Sequence, residues 1–172
     1  MRWMALSIII LILSVTAHNA NAAGPEKDPG LEKSLTTIRQ GFQKTNSCLA
    51  IQIQVSINVE YTDTVFTIKE VCESYNKEYL VTRVTALDVA NIDYSSIGQF
   101  YEDNTAVTIQ TKQGKAIAET STQKYILPPY TVTTNVDRLT SKIIRFGDAE
   151  TAGKMRKALK DAVKRCDERQ AK

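Results

Sequence analysis

Histidine is almost missing from this chain: the 172 residues contain one, His18, and the single tryptophan, Trp3, lies close to it. Both fall in an N-terminal stretch with the layout of a leader, so removal of that stretch leaves a chain with neither. Without histidine there is no Ser-His or Cys-His pair to activate a nucleophile, and no imidazole to ligate a metal. There is no Cys-x-x-Cys, which excludes a zinc knuckle or a thioredoxin-type motif. No Asn-x-Ser/Thr sequon follows residue 22. Charge is nearly balanced, with 22 Lys and Arg against 19 Asp and Glu. That is too small a bias to imply a nucleic-acid or other polyanion partner. No apolar run reaches the roughly 20 residues a membrane-spanning helix needs.

What is present begins with an address. Met1-Arg2-Trp3-Met4 is short and basic, Ala5 to Val15 is almost unbroken in its apolarity, and Ala20-Asn21-Ala22 is a small-x-small site. This is the three-part pattern of a secretory signal peptide over residues 1–22. Residues 23–172 then form one domain, exported to the periplasm or the extracellular space. No cysteine follows the apolar run at a lipidation position, so no stable membrane anchor is expected.

Three cysteines remain, Cys48, Cys72 and Cys166. An oxidising compartment favours one disulfide, and three cysteines allow three pairings with one thiol left over. Joining Cys72 or Cys48 to Cys166 is the favoured expectation, because it fastens a terminal helix to a sheet and closes a long loop.

Leu31, Leu35, Ile38 and Phe42 recur at helical spacing after Asp28-Pro29, which predicts a helix over 29–44 with Asp28 as its N-cap. From residue 51 the period becomes two. Ile51, Ile53, Val55, Ile57 and Val59 alternate with polar residues, the clearest strand in the chain. Strands are also predicted at 65–71, 79–84, 106–111, 116–119, 130–134 and 139–146. Residues 86–100 read as a compact loop or single helical turn, and Pro128-Pro129 places the apolar piece 125–127 at an edge or corner. Asp148 then caps a final helix with Ala152, Met155, Leu159, Ala162, Val163 and Cys166 as its apolar stripe. The resulting fold class is α+β: an antiparallel barrel of roughly seven strands between an N-terminal helix and a C-terminal amphipathic capping helix.

The run Ile143-Ile144-Arg145-Phe146-Gly147-Asp148-Ala149-Glu150-Thr151-Ala152, a strand passing straight into a helix, resembles the tail of small exported bacterial pleckstrin-homology-like (PH-like) barrels. The stretch from Leu87 to Ile97 resembles a linker in proteins of that kind. The resemblance implies a helix that plugs the open end of the barrel, and it implies no catalytic residues. Phosphoinositide-binding members carry a basic cluster in the first hairpin. Here that hairpin has Glu60, Asp63, Lys69 and Glu70, which disfavours such binding.

No catalytic, cofactor-binding or metal-binding residues are expected. Asp88, Asp93, Glu102 and Asp103 crowd one loop but match no EF-hand spacing. The lysines and arginines of the last helix read as a solvated face. Tyr125, Pro128, Pro129 and Tyr130 form a candidate interaction loop, since amphipathic aromatics are favoured at interfaces. The functional expectation is a non-catalytic exported interaction or accessory module with a protein partner, such as an inhibitor of a hydrolase, reached first by strand addition at a sheet edge. The second expectation is a barrel carrier for a small apolar ligand, against which stands the tendency of small barrels to fill with their own side chains.

Overall fold

The computed structural model describes residues 28–45 and 48–171. The segment 1–22 expected to be a leader, with His18 and Trp3, lies outside the described residues.

Helix α1 (Pro29–Phe42) begins where the sequence places it. Asp28 is in extended backbone and its carboxylate accepts from the Gly30 and Leu31 N–H groups, with Pro29 in the first turn. Eight strands follow: β1 (Gln52–Thr62), β2 (Val65–Ser74), β3 (Tyr79–Asp88), β4 (Gly98–Phe100), β5 (Asp103–Gln110), β6 (Ile117–Tyr125), β7 (Val132–Leu139) and β8 (Ser141–Arg145). The chain closes with α2 (Ala149–Gln170), capped by Asp148, whose carboxylate accepts from the Thr151 N–H.

The strands make two sheets, a five-stranded one ordered β1-β2-β3-β6-β7 and a three-stranded one ordered β4-β5-β8, with every pairing antiparallel. The α+β class and the antiparallel pairing are as expected, but the single barrel of roughly seven strands is corrected to eight strands in two sheets. The predicted loop at 86–100 contains the end of β3, two single-turn 3-10 helices (Val89–Asn91 and Tyr94–Ser96) and the short β4. The chain leaves the larger sheet at the β7–β8 corner and joins the smaller one, so the two share a corner without forming a ring. Among the described residues an isolated bridge, Thr45 to Phe146, ties the segment after α1 to the residue that follows β8.

The core lies at one end of the larger sheet. The inner-face row Tyr61, Phe66, Leu87, Ile117 and Leu139 is apolar, and Phe66, Leu87 and Ile117 are fully buried. The two helices pack on each other, and α2 packs on β5. Leu35, Ile38, Met155, Leu159 and Val163 are almost inaccessible, each contributing roughly 1.5–3 kcal/mol through burial. Gly41 allows the close approach of α1 to α2, because a Cβ there would lie 2.9 Å from Met155 Sδ.

The long alternation in β1 does not mean one buried face. The register slips between Gln54 and Ser56, and such a bulge turns the following residues over. The Ile51 carbonyl accepts from Tyr75 at the end of β2, whereas the Val59 carbonyl accepts from the Arg39 guanidinium on α1. After the bulge Val59 faces the core. Before it, Gln52 and Gln54 take the inner positions and Ile51 and Ile53 point outward, with Ile51 60% exposed.

The disulfide joins Cys48 to Cys72, and Cys166 is a free buried thiol. The expected tether of the last helix is therefore corrected: Cys166 is buried in the core beneath α2, beside Asp63 and Thr64 just before β2, whereas Cys72 is near the other end of that strand. The bond instead pins the connection between α1 and β1 across the inner face of β2.

Candidate functional site

Two features stand out, a cleft at the seam between the sheets and a rim at the far end of the larger sheet.

Away from the core, the inner face of the larger sheet turns polar. Register sets Ile68 beside Thr85, Glu70 beside Arg83, and Arg83 beside Ser121. Arg83 Nη1 lies 3.4 Å from Glu70 Oε2, and Arg83 Nε 3.4 Å from Glu119 Oε1 on β6. Lys142 on β8 reaches across to the same Glu119 carboxylate, to which the Thr85 hydroxyl also donates at 3.0 Å. Burial by itself would raise the Glu119 carboxyl. Lys142, the Thr85 hydroxyl and Arg83 outweigh that and hold it below its ordinary 4.5. Two cations and two carboxylates thus form an electrically balanced cluster under a cleft of about 410 Å³. The remaining walls come from Phe42, Leu49, Ala50, Ile68 and the β8 residues Ile143 and Ile144. The size is within the usual range of ligand-binding clefts, roughly 300–1,000 Å³. The Cys48 and Cys72 sulfurs and a Glu70 oxygen lie within 4.8 Å of one another, but sulfurs joined to each other offer no thiolate to a metal.

The rim is built by three connections that end on the same side. Gln52 pairs with Ser74, Glu73 with Leu80, and Tyr79 with Tyr125. The start of β1, the β2–β3 turn and the β6–β7 turn are therefore neighbours. They carry Ile51, Ile53, Tyr75, Ile126, Leu127, Tyr130 and Val132, all exposed. Tyr130 is 64% exposed and Tyr75 63%. The Tyr79 and Tyr125 rings meet at 5.6 Å. The Tyr130 N–H returns to the Leu127 carbonyl, and the Pro128–Pro129 bond within that turn is cis. From Tyr125 to Val136 there is no charged residue. Five strands at about 4.8 Å spacing make this rim roughly 19 Å wide.

The sequence singled out Tyr125, Pro128, Pro129 and Tyr130, and the structure places them together at the tip of the β6–β7 hairpin. It did not connect them with Ile51, Ile53 and Tyr75, because the strand order that joins them is a tertiary fact. The cleft was also missed. Glu70, Arg83, Glu119 and Lys142 are scattered over 70 positions, and only the charged residues at inner-face positions of otherwise apolar strands hinted at them.

The acidic residues of the central loop serve local turns. Asp88 accepts from Thr64, Asn91 and the Ala90 N–H, Asp93 from Ser95, and Asp103 from Thr105. On α2, Lys154 pairs with Glu150, Lys164 with Glu168 and Arg165 with Asp28, while Asp167 holds Lys112 from outside the helix. Among the described residues no helix is long and apolar enough to cross a membrane.

No protein-family model, curated protein or solved structure matches this chain.

Proposed function

We propose that this protein is a non-catalytic exported interaction module that docks a protein partner on the rim of its five-stranded sheet. The observation that carries this reading is the convergence of Ile51, Ile53, Tyr75, Leu127, Tyr130 and Val132 at one end of the sheet, all exposed. A soluble chain in water gains nothing by leaving such a group uncovered, and contiguous apolar patches mark binding surfaces. Tyrosine supplies large contact area with little conformational freedom to lose, so it is favoured where partners meet. Charge in the rim is sparse and balanced, Glu73 and Glu78 against Lys77 and Lys124, which favours a partner with an apolar face over an anionic surface. A rigid hairpin tip is also the kind of element that an inhibitor inserts into an enzyme's cleft. The order of strands before a closing helix supports kinship with PH-like barrels, and the division of the strands into two sheets marks a departure from them.

The test uses the mature protein as bait in its native envelope extract, beside Leu127→Asp and Tyr130→Asp variants. The expected result is a partner retained by wild type and lost by both variants at unchanged melting temperature. Equal retention by wild type and variants would remove the rim from the interface.

A further inference from the structure

The cleft has a lining that side chains alone do not explain. Lys142, Ile143, Ile144 and Arg145 are consecutive in β8, and all four border it. Successive side chains of a strand point to opposite faces, so a cavity bordered by four in a row runs along the strand's edge. Among the described residues, strand β8 pairs with β5 on one side only, apart from the bridge at Phe146. The Phe146 N–H donates to Thr105, the residue leading into the middle of β5. By the alternation of an antiparallel ladder, the N–H and C=O groups of Ile143 and Ser141 then face away from β5, toward the seam.

We propose that this seam accepts an extended, uncharged peptide segment of a protein partner as an added strand on β8, which narrows the gap between the two sheets. The backbone of Ser141 and Ile143 supplies the ladder. The chemistry of the occupant follows from the walls. Phe42, Leu49, Ile68 and Ile143 offer apolar contact, which suits β-branched or aliphatic side chains on alternate positions. The charges beneath are already matched, Glu70 and Glu119 against Arg83 and Lys142, so a charged side chain entering there would be buried without a partner. Four residues of edge correspond to about 13 Å of strand, room for a segment of four or five residues. This proposal deepens the reading of the protein as an interaction module by naming a second contact, away from the rim.

The experiment uses a synthetic peptide and needs no natural partner, so its outcome is separate from that of the rim variants. The probe is acetyl-Thr-Val-Thr-Val-Thr-amide, titrated into the isotope-labelled mature protein and followed by amide NMR. The expected result is saturable binding with shifts and slowed amide exchange centred on Ser141 and Ile143. The same peptide N-methylated at alternate residues should bind at least tenfold more weakly, and so should a version with aspartate for both valines. An Ile143→Asp variant, altering an exposed wall position, should weaken binding similarly while keeping the wild-type melting temperature. Equal binding of the N-methylated peptide, absence of binding, or shifts confined to the rim would each overturn the proposal.

Discussion

Asp28 and Arg165 stand 137 positions apart in sequence, and one guanidinium nitrogen, Nη1 of Arg165, lies 3.0 Å from each of the Asp28 carboxylate oxygens. The same carboxylate caps α1. A single side chain thus starts the first helix and fastens it to the last one. Burial pulls the Asp28 carboxyl upward, but the Arg165 guanidinium and the Leu31 and Gly30 N–H groups outweigh it, leaving it below its ordinary 3.8. Arg165→Ala should lower the melting temperature, and should do so by less in an Asp28→Ala background, because the partner is already gone. Gly30→Ala should also loosen this pair, since a Cβ there would overlap the Arg165 guanidinium. Thermal melts of the single and double variants check the coupling. Additive effects would show that the pair contributes nothing.

Glu119 controls the polarity of the cleft. Its carboxyl is held below 4.5, so the stability it contributes is present above that pH and lost as pH falls through the lower folded value. Glu119→Gln should cost about 1–3 kcal/mol near neutral pH, since it leaves Lys142 without its carboxylate. The variant should also show a flatter decline in stability below pH 4.5 than wild type. Urea unfolding at a series of pH values measures both.

The disulfide closes a loop between positions 24 apart. In the chain-entropy picture that is about 3.5 kcal/mol. The Cys48→Ser, Cys72→Ser double variant should lose stability on that scale. Cys166 should remain the one alkylatable thiol of the unreduced described chain. Burial pushes its pKa up, with Arg169 a smaller opposing influence, so alkylation should be slow in the native protein and fast in denaturant. Rapid labelling of the folded protein would contradict its burial.

Lys77 turns the chain between β2 and β3 with a φ of 56°. A side chain in that region costs about 1–2 kcal/mol. Lys77→Gly should leave stability unchanged or raise it by up to about 1 kcal/mol, and Lys77→Val should lower it. Paired melting curves decide the sign.

Much of this was legible in advance because it is local. The Asp28 and Asp148 caps, the stripe of α2 and a hairpin turn within 61–64 depend on residues a few positions apart, and the structure has them, with β1 ending at Thr62 and β2 starting at Val65. The tip at Tyr125–Tyr130 was legible too, since two prolines cannot continue a ladder. The β1 alternation shows where that reading stops. Five apolar residues at period two predict one buried face, but the bulge between Gln54 and Ser56 divides them, and nothing in QIQVSI announces it. Its result is that Gln54 and Gln52 take the inner positions opposite Cys72 and Ser74.

The sequence by itself determined the helices, the antiparallel strands and a chain without a histidine for catalysis beyond position 18, since periodicity and composition act at short range or not at all through space. Only the tertiary structure decided that eight strands split into two sheets, that Cys48 rather than Cys166 meets Cys72, and that rim and cleft exist. Those outcomes depend on which distant surfaces bury each other best, and that is settled by packing across the whole chain.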